Sequence, residues 1–336
     1  MTGRDTFTFL MCSERSGSNL LSRMCDAHPR LCAPTPAHLV RVLGENRHRY
    51  GDPDDGGSWR RLLTDAADLL ATTVAPWRTS WTIAALDAAA DGRSLGGLLR
   101  GILGAEAAAA GKTRLFLKEN RLHRYLDFVR DEFPGLRLVA LVRDPRDMAL
   151  SWRRSPILRG DVMRAARVWR EDQTALARLL ARRDPALPVH LLTYEDLVSA
   201  PGRRLAELCA FLDLEFDPAM LDFHAGPTAR DHASRSDDWR NVARPVMTGN
   251  SGKWRDGLTA TEAAYVERVC ARPMAYFGYA TETGDPRTRA ELEAELVPLE
   301  RHEKPGWATV SPAEKRVRGA RREVVRRVMT AEAAHA

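Results

Sequence analysis

The sequence predicts an α/β fold: a doubly wound, mainly parallel sheet of four or five strands, flanked by helices and carrying a helical insertion. Short apolar, β-favouring segments alternate with helical patterns along the chain, which is typical of βαβ units. The first apolar segment, residues 6–12, passes through a short polar turn directly into a helical pattern. The 336 residues, 44% of them hydrophobic, are enough for one large core.

Four apolar segments are predicted as strands, and helices fill most of the chain between them. The first strand and its helix are followed by a turn with two prolines and by a helix near residues 39–43. A helix near residues 122–132 separates the second and third strands, and an amphipathic helix over residues 162–183 precedes the fourth. The predicted strands are residues 6–12, 114–118, 137–143 and 189–193.

The chain is expected to form one domain with an insertion and a tail. Residues 1–300 make up the domain, and residues 44–111 within it are an Ala- and Leu-rich helical insertion. Residues 301–336 are expected to be a basic, helical C-terminal extension. No internal repeat and no second set of strands is visible in the sequence.

The charge balance favours an anionic ligand or surface. Fifty-one Lys and Arg residues against forty-five Asp and Glu give a formal net charge of +6 and a pI near 9.3. Much of this excess lies close to the C-terminus, so the total charge alone is weak evidence for the kind of ligand.

Cysteine usage and hydropathy suggest a cytoplasmic protein. The five cysteines form no CxxC pair and lie mostly beside apolar residues, which fits buried thiols in a reducing compartment. The first residues lack the charged-then-apolar pattern of a signal peptide. No apolar run reaches the roughly 18 residues that a membrane span requires.

The first candidate site is the turn at residues 13–19, between the first strand and its helix. Backbone N–H groups and the positive end of the helix dipole converge there and favour an anion. Gly17 lets the backbone approach a ligand closely, and Arg15 supplies a permanent charge. An ordinary turn with a serine helix cap is the alternative. The residues expected to bind are Arg15, Ser16, Gly17, Ser18 and Asn19.

This turn is not a nucleoside-triphosphate loop of the usual kind. The GxxxxGK[ST] motif is missing, and no Lys follows Gly17. A kinase or nucleotide hydrolase therefore stays an alternative that the motif argues against, and it would require Mg²⁺-dependent turnover of ATP.

The second candidate site is the end of the third predicted strand. The strand delivers Arg143 to the carboxyl edge of the sheet, and the following helix carries Ser151 two turns later. Both side chains would face the crevice where open α/β sheets bind ligands. In the alternative interpretation, Arg143 pairs with Asp144 or Asp147, and Ser151 faces solvent.

Taken in order, these blocks resemble the sulfotransferase superfamily that uses 3′-phosphoadenylyl sulfate (PAPS). The resemblance covers about residues 7–259, with residues 44–111 unmatched. SRMCDAHPRLCAP and NVARPV…GKW are similar to segments of the tyrosylprotein sulfotransferase branch. The blocks are the strand–SGS–helix turn, RDPRD with a Ser eight residues past its Arg, YEDL, and PGRRLAELCAFL.

The resemblance implies a P-loop-like fold and gives roles to several residues. Residues 15–19 would hold the 5′-phosphosulfate, and Arg143 with Ser151 would hold the 3′-phosphate. Many family members have Lys at the position of Arg15; Arg keeps the charge but cannot act as a titrating acid. Tyr194 is expected beside the adenine as a stacking face, with a plain core residue as the alternative.

The segment VARPVMTGNSGKW, residues 242–254, is expected to close over the donor. Its cations and its Gly/Ser backbone could wrap a phosphate, although a mobile solvent loop is the alternative. The residues expected to contribute are Arg244, Gly252, Lys253 and Trp254.

Sulfuryl transfer spreads negative charge over oxygens in the transition state, so fixed cations are needed. Arg15 and Lys118 are the expected cations. An acceptor hydroxyl also needs a general base, for which the candidates in order are His38, Glu119 and His123. No His or Cys spacing indicates a metal site, so we expect a reaction without metal.

The acceptor is expected to be a hydroxyl-bearing small molecule, sugar or lipid of the kind that bacterial enzymes modify, and residues 44–111 to shape its pocket. A homo-oligomer is compatible with the sequence. A nucleic-acid-binding protein that uses the tail KRVRGARREVVRR is the second alternative. This tail lacks interleaved aromatic residues, so we do not expect nucleic acid as a partner.

Overall fold

The computed structural model of the chain describes residues 7–299 and 305–330. Within these residues a five-stranded parallel sheet has the strand order β2-β3-β1-β4-β5. The predicted parallel α/β sheet is therefore confirmed. Thr6 and parts of the C-terminal extension (residues 300–304 and 331–336) lie outside the described residues. The strands are β1 (Phe7–Cys12), β2 (Leu31–Cys32), β3 (Arg114–Asn120), β4 (Arg137–Val142) and β5 (Val189–Thr193).

Helices connect the strands and cover both faces of the sheet. The helices of the described residues are α1 (Ser18–Ala27), α2 (Leu39–Glu45), α3 (Gly56–Ala71), α4 (Ile83–Ala89), α5 (Leu95–Ala109), α6 (Leu126–Glu132), α7 (Pro145–Arg154), α8 (Val162–Arg182), α9 (Tyr194–Ser199), α10 (Pro201–Phe211), α11 (Pro227–Arg235), α12 (Trp254–Gly257), α13 (Ala260–Tyr276), α14 (Arg289–Leu296) and α15 (Pro312–Thr330). None of these helices is long and apolar enough to cross a membrane.

One strand was missed by the sequence analysis. Leu31 and Cys32 form the two-residue edge strand β2, where the proline-containing turn was expected to begin. They pair with Arg114 and Leu115 of β3, and both are fully buried. Two residues are too few to show an alternating pattern, so pairing with β3 decides their conformation.

The centre of the sheet is the place where its strand order reverses. From β1, the chain reaches β3 on one side and β4 on the other. The carboxyl ends of parallel strands on either side of such a point leave a crevice between their loops, where α/β proteins bind ligands. Both sequence-predicted candidate sites, the turn after β1 and the end of β4, lie at this crevice.

The two faces of the sheet bury different sets of side chains because successive residues of a strand point to opposite sides. Phe7, Phe9 and Met11 of β1 belong to the larger core, which includes residues of α3, α5, α8 and α13. Leu10 and Cys12 belong to the smaller core with α1, α9 and α10. Because of this alternation, consecutive residues at the end of a strand point to opposite faces of the sheet.

Residues 44–111 contain α3, α4 and α5, in line with the expected helical content of this segment. Helix α15 packs against α3 and α2, with Val324 and Val328 buried. The basic C-terminal helix therefore lies beside the helices that follow the first candidate site.

Candidate active site

The turn after β1 has the backbone shape of an anion-binding site. Arg15 and Gly17 both adopt left-handed backbone conformations, with φ of 66° and 89°, and α1 starts directly at Ser18. Left- and right-handed residues in succession point their N–H groups into a common concavity. The buried hydroxyl of Ser16 has no hydrogen-bond partner among the described residues. A ligand that accepts hydrogen bonds would satisfy it.

Gly17 fits because it has no side chain. A Cβ at this position would lie 2.3 Å from Cδ2 and 2.6 Å from Cε2 of Tyr194. The Tyr194 ring, at the start of α9, therefore packs directly against the turn. Close approach and the positive φ both require glycine here.

The resemblance implies adenosine 3′,5′-bisphosphate as the product bound here, and on that expectation Gly17→Ala should weaken its binding about tenfold or more, because the methyl group would displace either the turn or the Tyr194 ring. Gly111→Ala is the matched control: Gly111 also has a positive φ, 66°, but its added Cβ would meet no atom within 4 Å. Calorimetric titration of both variants measures the difference. Equal affinities for the two variants would show that the contact with Tyr194 does not shape the site.

Arg143 joins the end of β4 to this turn. Its Nη1 donates to the carbonyl of Arg15 and its Nη2 to the carbonyl of Asn250, each at 3.0 Å. The guanidinium lies 4.2 Å from the centre of the Tyr194 ring. Its Nε is buried without a hydrogen-bond partner among the described residues, so one donor remains for a ligand. The alternative interpretation required Arg143 to pair with Asp144 or Asp147. Among the described contacts, Arg143 pairs with neither of them.

Tyr194 does not offer the stacking face that the sequence analysis expected. The residue is only 4% exposed, and its ring contacts Arg143 and approaches Gly17. Its hydroxyl accepts a hydrogen bond of 2.6 Å from Nδ2 of Asn250. In this arrangement Tyr194 supports the turn and Arg143.

Arg15 and Ser151 come together across the crevice. Nε of Arg15 donates to Oγ of Ser151 at 3.0 Å, which places α7 beside the turn. Nη1 of Arg15 lies 3.2 Å from Oδ2 of Asp238, and Asp238 also accepts a hydrogen bond from Ser155. Burial lowers the pKa of Arg15, and the carboxylate of Asp238 opposes that shift. Asp238 was missed by the sequence analysis, since nothing in the spacing linked it to Arg15.

Lys118, near the end of β3, approaches the turn from the other side. Its Nζ donates to Oδ1 of Asn19 at 2.7 Å. Burial lowers the pKa of Lys118, whose nearest charges include Glu14 and Arg15. The structure thus brings two cations, Arg15 and Lys118, to the same turn.

Asp147 of α7 binds the backbone of residues 242–254, the segment expected to close over the donor. The carboxylate of Asp147 accepts N–H groups from Gly252 at 2.6 Å and from Trp254 at 2.9 Å. Lys253 donates to Asn250 at 2.7 Å, and Arg244 is exposed. Asp147 and Asn250 were both missed, although they set the position of this segment.

Trp254 serves the scaffold more than a ligand. Its ring has the guanidinium groups of Arg146 and Arg255 at 4.0 Å and 4.7 Å from the ring centre. The residue is 6% exposed. Trp254 is therefore packed within the protein beside two of its own cations.

His38 and Glu119 form a pair at the edge of the site. A hydrogen bond of 3.1 Å joins Nδ1 of His38 and Oε2 of Glu119. Lys118 and Glu119 are consecutive on β3, so they point to opposite faces: Lys118 towards α1, and Glu119 towards α2. His38 directly precedes α2 and has a left-handed backbone, with φ of 51°.

Burial drives both members of this pair towards their neutral forms. Burial, together with the nearby cations Arg41, Arg321 and Lys118, holds the pKa of His38 well below its usual value. Burial raises the pKa of Glu119 to about 7, and Arg41 and Arg321 oppose that rise. A neutral imidazole can accept a proton at its second nitrogen.

His123 lies beside α8 and not beside the His38–Glu119 pair. Its Nε2 lies 3.5 Å from Glu171 and its Nδ1 lies 3.5 Å from Asp172, both on α8. Burial lowers its pKa. Among the contacts of the described residues, none joins His123 to Arg15, Lys118 or His38.

The fold and the turn define a class: parallel α/β proteins with a turn shaped for an anion at the switch point of the sheet. A family model described as the sulfotransferase family matches residues 8–218 of this chain. The chain belongs to the sulfotransferase family.

Two solved structures have a fold similar to that of this chain. The sulfotransferase domain of the Synechococcus PCC 7002 olefin synthase is similar at a TM-score of 0.57 and 22% identity, over 84% of this chain and 98% of that one. The sulfotransferase domain of the curacin biosynthetic pathway gives 0.59 and 21%, over 84% and 100%. These likenesses support the fold.

The curated relatives match only a short region. Carbohydrate sulfotransferase 2 of Homo sapiens and that of Mus musculus are each 30% identical to this chain over 89 residues. This region is 26% of the present chain and 16% of the length of each relative.

Proposed function

We propose that this protein transfers a sulfuryl group from PAPS to a hydroxyl of an acceptor. The observation that carries the proposal is the convergence of Arg143, Arg15 and Ser151 on the turn after β1. Membership of the sulfotransferase family supports the reaction class. The donor and the roles of individual residues are parts of the proposal.

The residues present suit a nucleotide with phosphates at both ends. The concave backbone at residues 15–18, with the unpaired hydroxyl of Ser16, would hold the 5′-phosphosulfate. Arg143, with its free Nε, and Ser151 would hold the 3′-phosphate. Binding of this phosphate would compete with the hydrogen bond between Arg15 and Ser151.

The bound donor would supply a sulfuryl group for in-line displacement, with adenosine 3′,5′-bisphosphate as the leaving product. Arg15 and Lys118 lie where negative charge would develop on the transferred group and on the leaving oxygen. Asp238 holds the side chain of Arg15, and Asn19 holds that of Lys118. Fixed cations in a partly buried site stabilise such charge without reorganisation.

His38 would act as the general base, with Glu119 as its partner. In the tautomer that donates from Nδ1 to Glu119, the Nε2 of His38 is free to take the proton of the acceptor hydroxyl. The ionised form of Glu119 would then stabilise the imidazolium. His123, the third candidate, contacts Glu171 and Asp172 of α8 and lies apart from the His38–Glu119 pair in its described contacts.

A cavity between the segment after α1 and the α3–α5 region is the proposed acceptor site. It measures about 300 Å³ and is lined on one side by Trp77, Arg78 and Glu106, which belong to residues 44–111. A smaller cavity of about 20 Å³, lined by Asn19 and by residues of the larger one, extends towards Lys118. The name of the carbohydrate sulfotransferase relatives supports a sugar among the acceptor classes, alongside small molecules and lipids.

A cytoplasmic location is also part of the proposal, and it is supported by five buried, free cysteines.

The direct test of this function is transfer of labelled sulfate from PAPS into a panel of sugars, phenols and lipids, with mass analysis of the products. We expect transfer to proceed in EDTA and the protein to be retained on an adenosine 3′,5′-bisphosphate matrix. Turnover of ATP that depends on Mg²⁺, with no transfer from PAPS, would support a kinase or hydrolase instead.

The pH dependence of kcat should report the ionisation of Glu119. Because burial places its pKa at about 7, we expect kcat to rise with pH through this value as Glu119 loses its proton. Burial and nearby cations hold the pKa of His38 well below its usual value, so its own titration should lie at lower pH than that of Glu119. Steady-state rates from pH 5.5 to about 8.5 measure the rise. In Glu119→Gln the rise near pH 7 should disappear, and its persistence there would assign it to another group.

A further inference from the structure

Helix α15 contains most of the basic C-terminal tail, and two of its arginines, Arg321 and Arg327, donate hydrogen bonds to other parts of the protein. Arg327 donates to Asp65 and Asp68 of α3, each at 2.7 Å. Val324 and Val328 are buried against the larger core. These contacts fix the helix in place next to α3 and α2.

Arg321 reaches furthest from α15 towards the active site. Its Nη1 donates to the carbonyl of Leu69 at 2.7 Å, and its Nη2 donates to the carbonyl of Ala37. Leu69 lies in the last turn of α3, where carbonyls lack partners within the helix. One guanidinium therefore ties the end of α3 to the peptide group that precedes His38.

That peptide group is the one whose position decides where His38 points. His38 has a left-handed backbone, with φ of 51° and ψ of 32°, which a residue with a side chain adopts only when its surroundings hold it there. Glu119 shares a hydrogen bond with the His38 imidazole, and the backbone N–H groups of Val40 and Arg41 at the start of α2 help to lower its pKa. The turn is thus held from β3 by Glu119 and from α15 by Arg321.

The charged groups around this pair come from three elements. Glu119 and Lys118 belong to β3, Arg41 belongs to α2, and Arg321 belongs to α15. Arg321 is itself largely buried, and burial lowers its pKa to about 10. Its positive charge favours the ionised form of Glu119.

We propose that Arg321 is a positioning residue of the active site, which holds the Ala37–His38 peptide and thereby the His38–Glu119 pair in a productive arrangement. On this view the basic C-terminal helix is part of the catalytic structure although it touches no substrate. The proposal rests on the proposed function of His38 and Glu119.

The test compares Arg321→Met with Arg326→Met on the same helix. Arg326 is exposed and pairs only with Glu323 among the described contacts, so it is a matched control. We expect Arg321→Met to lower kcat at least tenfold, with the affinity for adenosine 3′,5′-bisphosphate unchanged. The rise of kcat with pH should move to higher pH, because Glu119 loses a neighbouring cation. Arg326→Met should match the wild type in all three quantities.

Two further measurements separate positioning from general stability. Arg321→Lys keeps the charge and one set of donors, so it should recover part of kcat and return the pH profile towards that of the wild type. The NMR signals of the His38 imidazole should shift in Arg321→Met and not in Arg326→Met. This shift can be measured in the folded variants whether or not they are active. An unchanged pH profile together with unchanged His38 signals would overturn the proposal, even if kcat fell along with the folded fraction.

The NMR measurement also separates failure of the proposed function from failure of the positioning role of Arg321. If the wild type neither binds the bisphosphate nor transfers sulfate, the proposed function fails. The shift of the His38 signals still decides whether Arg321 positions His38.

Discussion

Replacing Arg15 by methionine is expected to lower kcat by about 10² to 10³, the usual cost of removing one fixed donor to developing negative charge. Arg15 is the cation that both lies in the turn and bonds to Ser151, so its loss removes charge and loosens α7 from the turn. Single-turnover transfer from PAPS at saturating donor measures the effect on the chemical step.

Two comparison variants sharpen this prediction. Arg15→Lys keeps the charge but cannot reproduce the guanidinium contacts with Ser151 and Asp238, so its rate should lie between those of wild type and Arg15→Met. Arg60→Met removes an exposed arginine on α3 and should leave the rate unchanged. Wild-type turnover in Arg15→Met would mean that the turn does not contact the transferred group.

Replacing His38 by alanine should lower kcat by about 10² or more while leaving donor affinity intact, since general-base catalysis contributes at least this much. The reason is that His38 carries the proposed proton acceptor, and the hydrogen bond described for its side chain goes to Glu119 and not to the turn proposed to hold the phosphosulfate. Rates and bisphosphate affinities, measured on the same preparations, give the two quantities.

The left-handed backbone at His38 calls for a second substitution. Asparagine adopts this conformation more readily than alanine, so His38→Asn removes the base with less strain. His48→Ala, at an exposed histidine nearby, is the matched control and should retain full activity. Activity that survives in both His38 variants would make His38 a structural residue and would move the role of base to Glu119.

The sequence was sufficient for the parts of the fold that repeat a local pattern. The short apolar, β-favouring runs of β1, β3, β4 and β5 predicted those strands, and the SGS turn predicted the first candidate site. The edge strand β2 was missed because two residues carry no pattern, and pairing with β3 alone makes it a strand.

The same limit explains the residues missed in the site. Four residues of the site contact segments that are distant in the chain, and no spacing in the sequence predicts such contacts. They are Asp147, Asp238, Asn250 and Arg321. Tyr194 shows the reverse case. Its block predicted a residue of the site, but burial against Gly17 and Arg143 makes it a support for the turn and leaves no open face for the adenine.

The central claim is that one nucleotide is held at two ends, by the turn after β1 and by Arg143 with Ser151. Calorimetric titration of adenosine 3′,5′-bisphosphate into the wild type and into Arg143→Met tests it most directly. We predict binding of one molecule per chain in the wild type, and at least a hundredfold weaker binding in the variant, because a buried charge-assisted contact is lost. No heat of binding in the folded wild type, or equal affinities in the two proteins, would contradict the account.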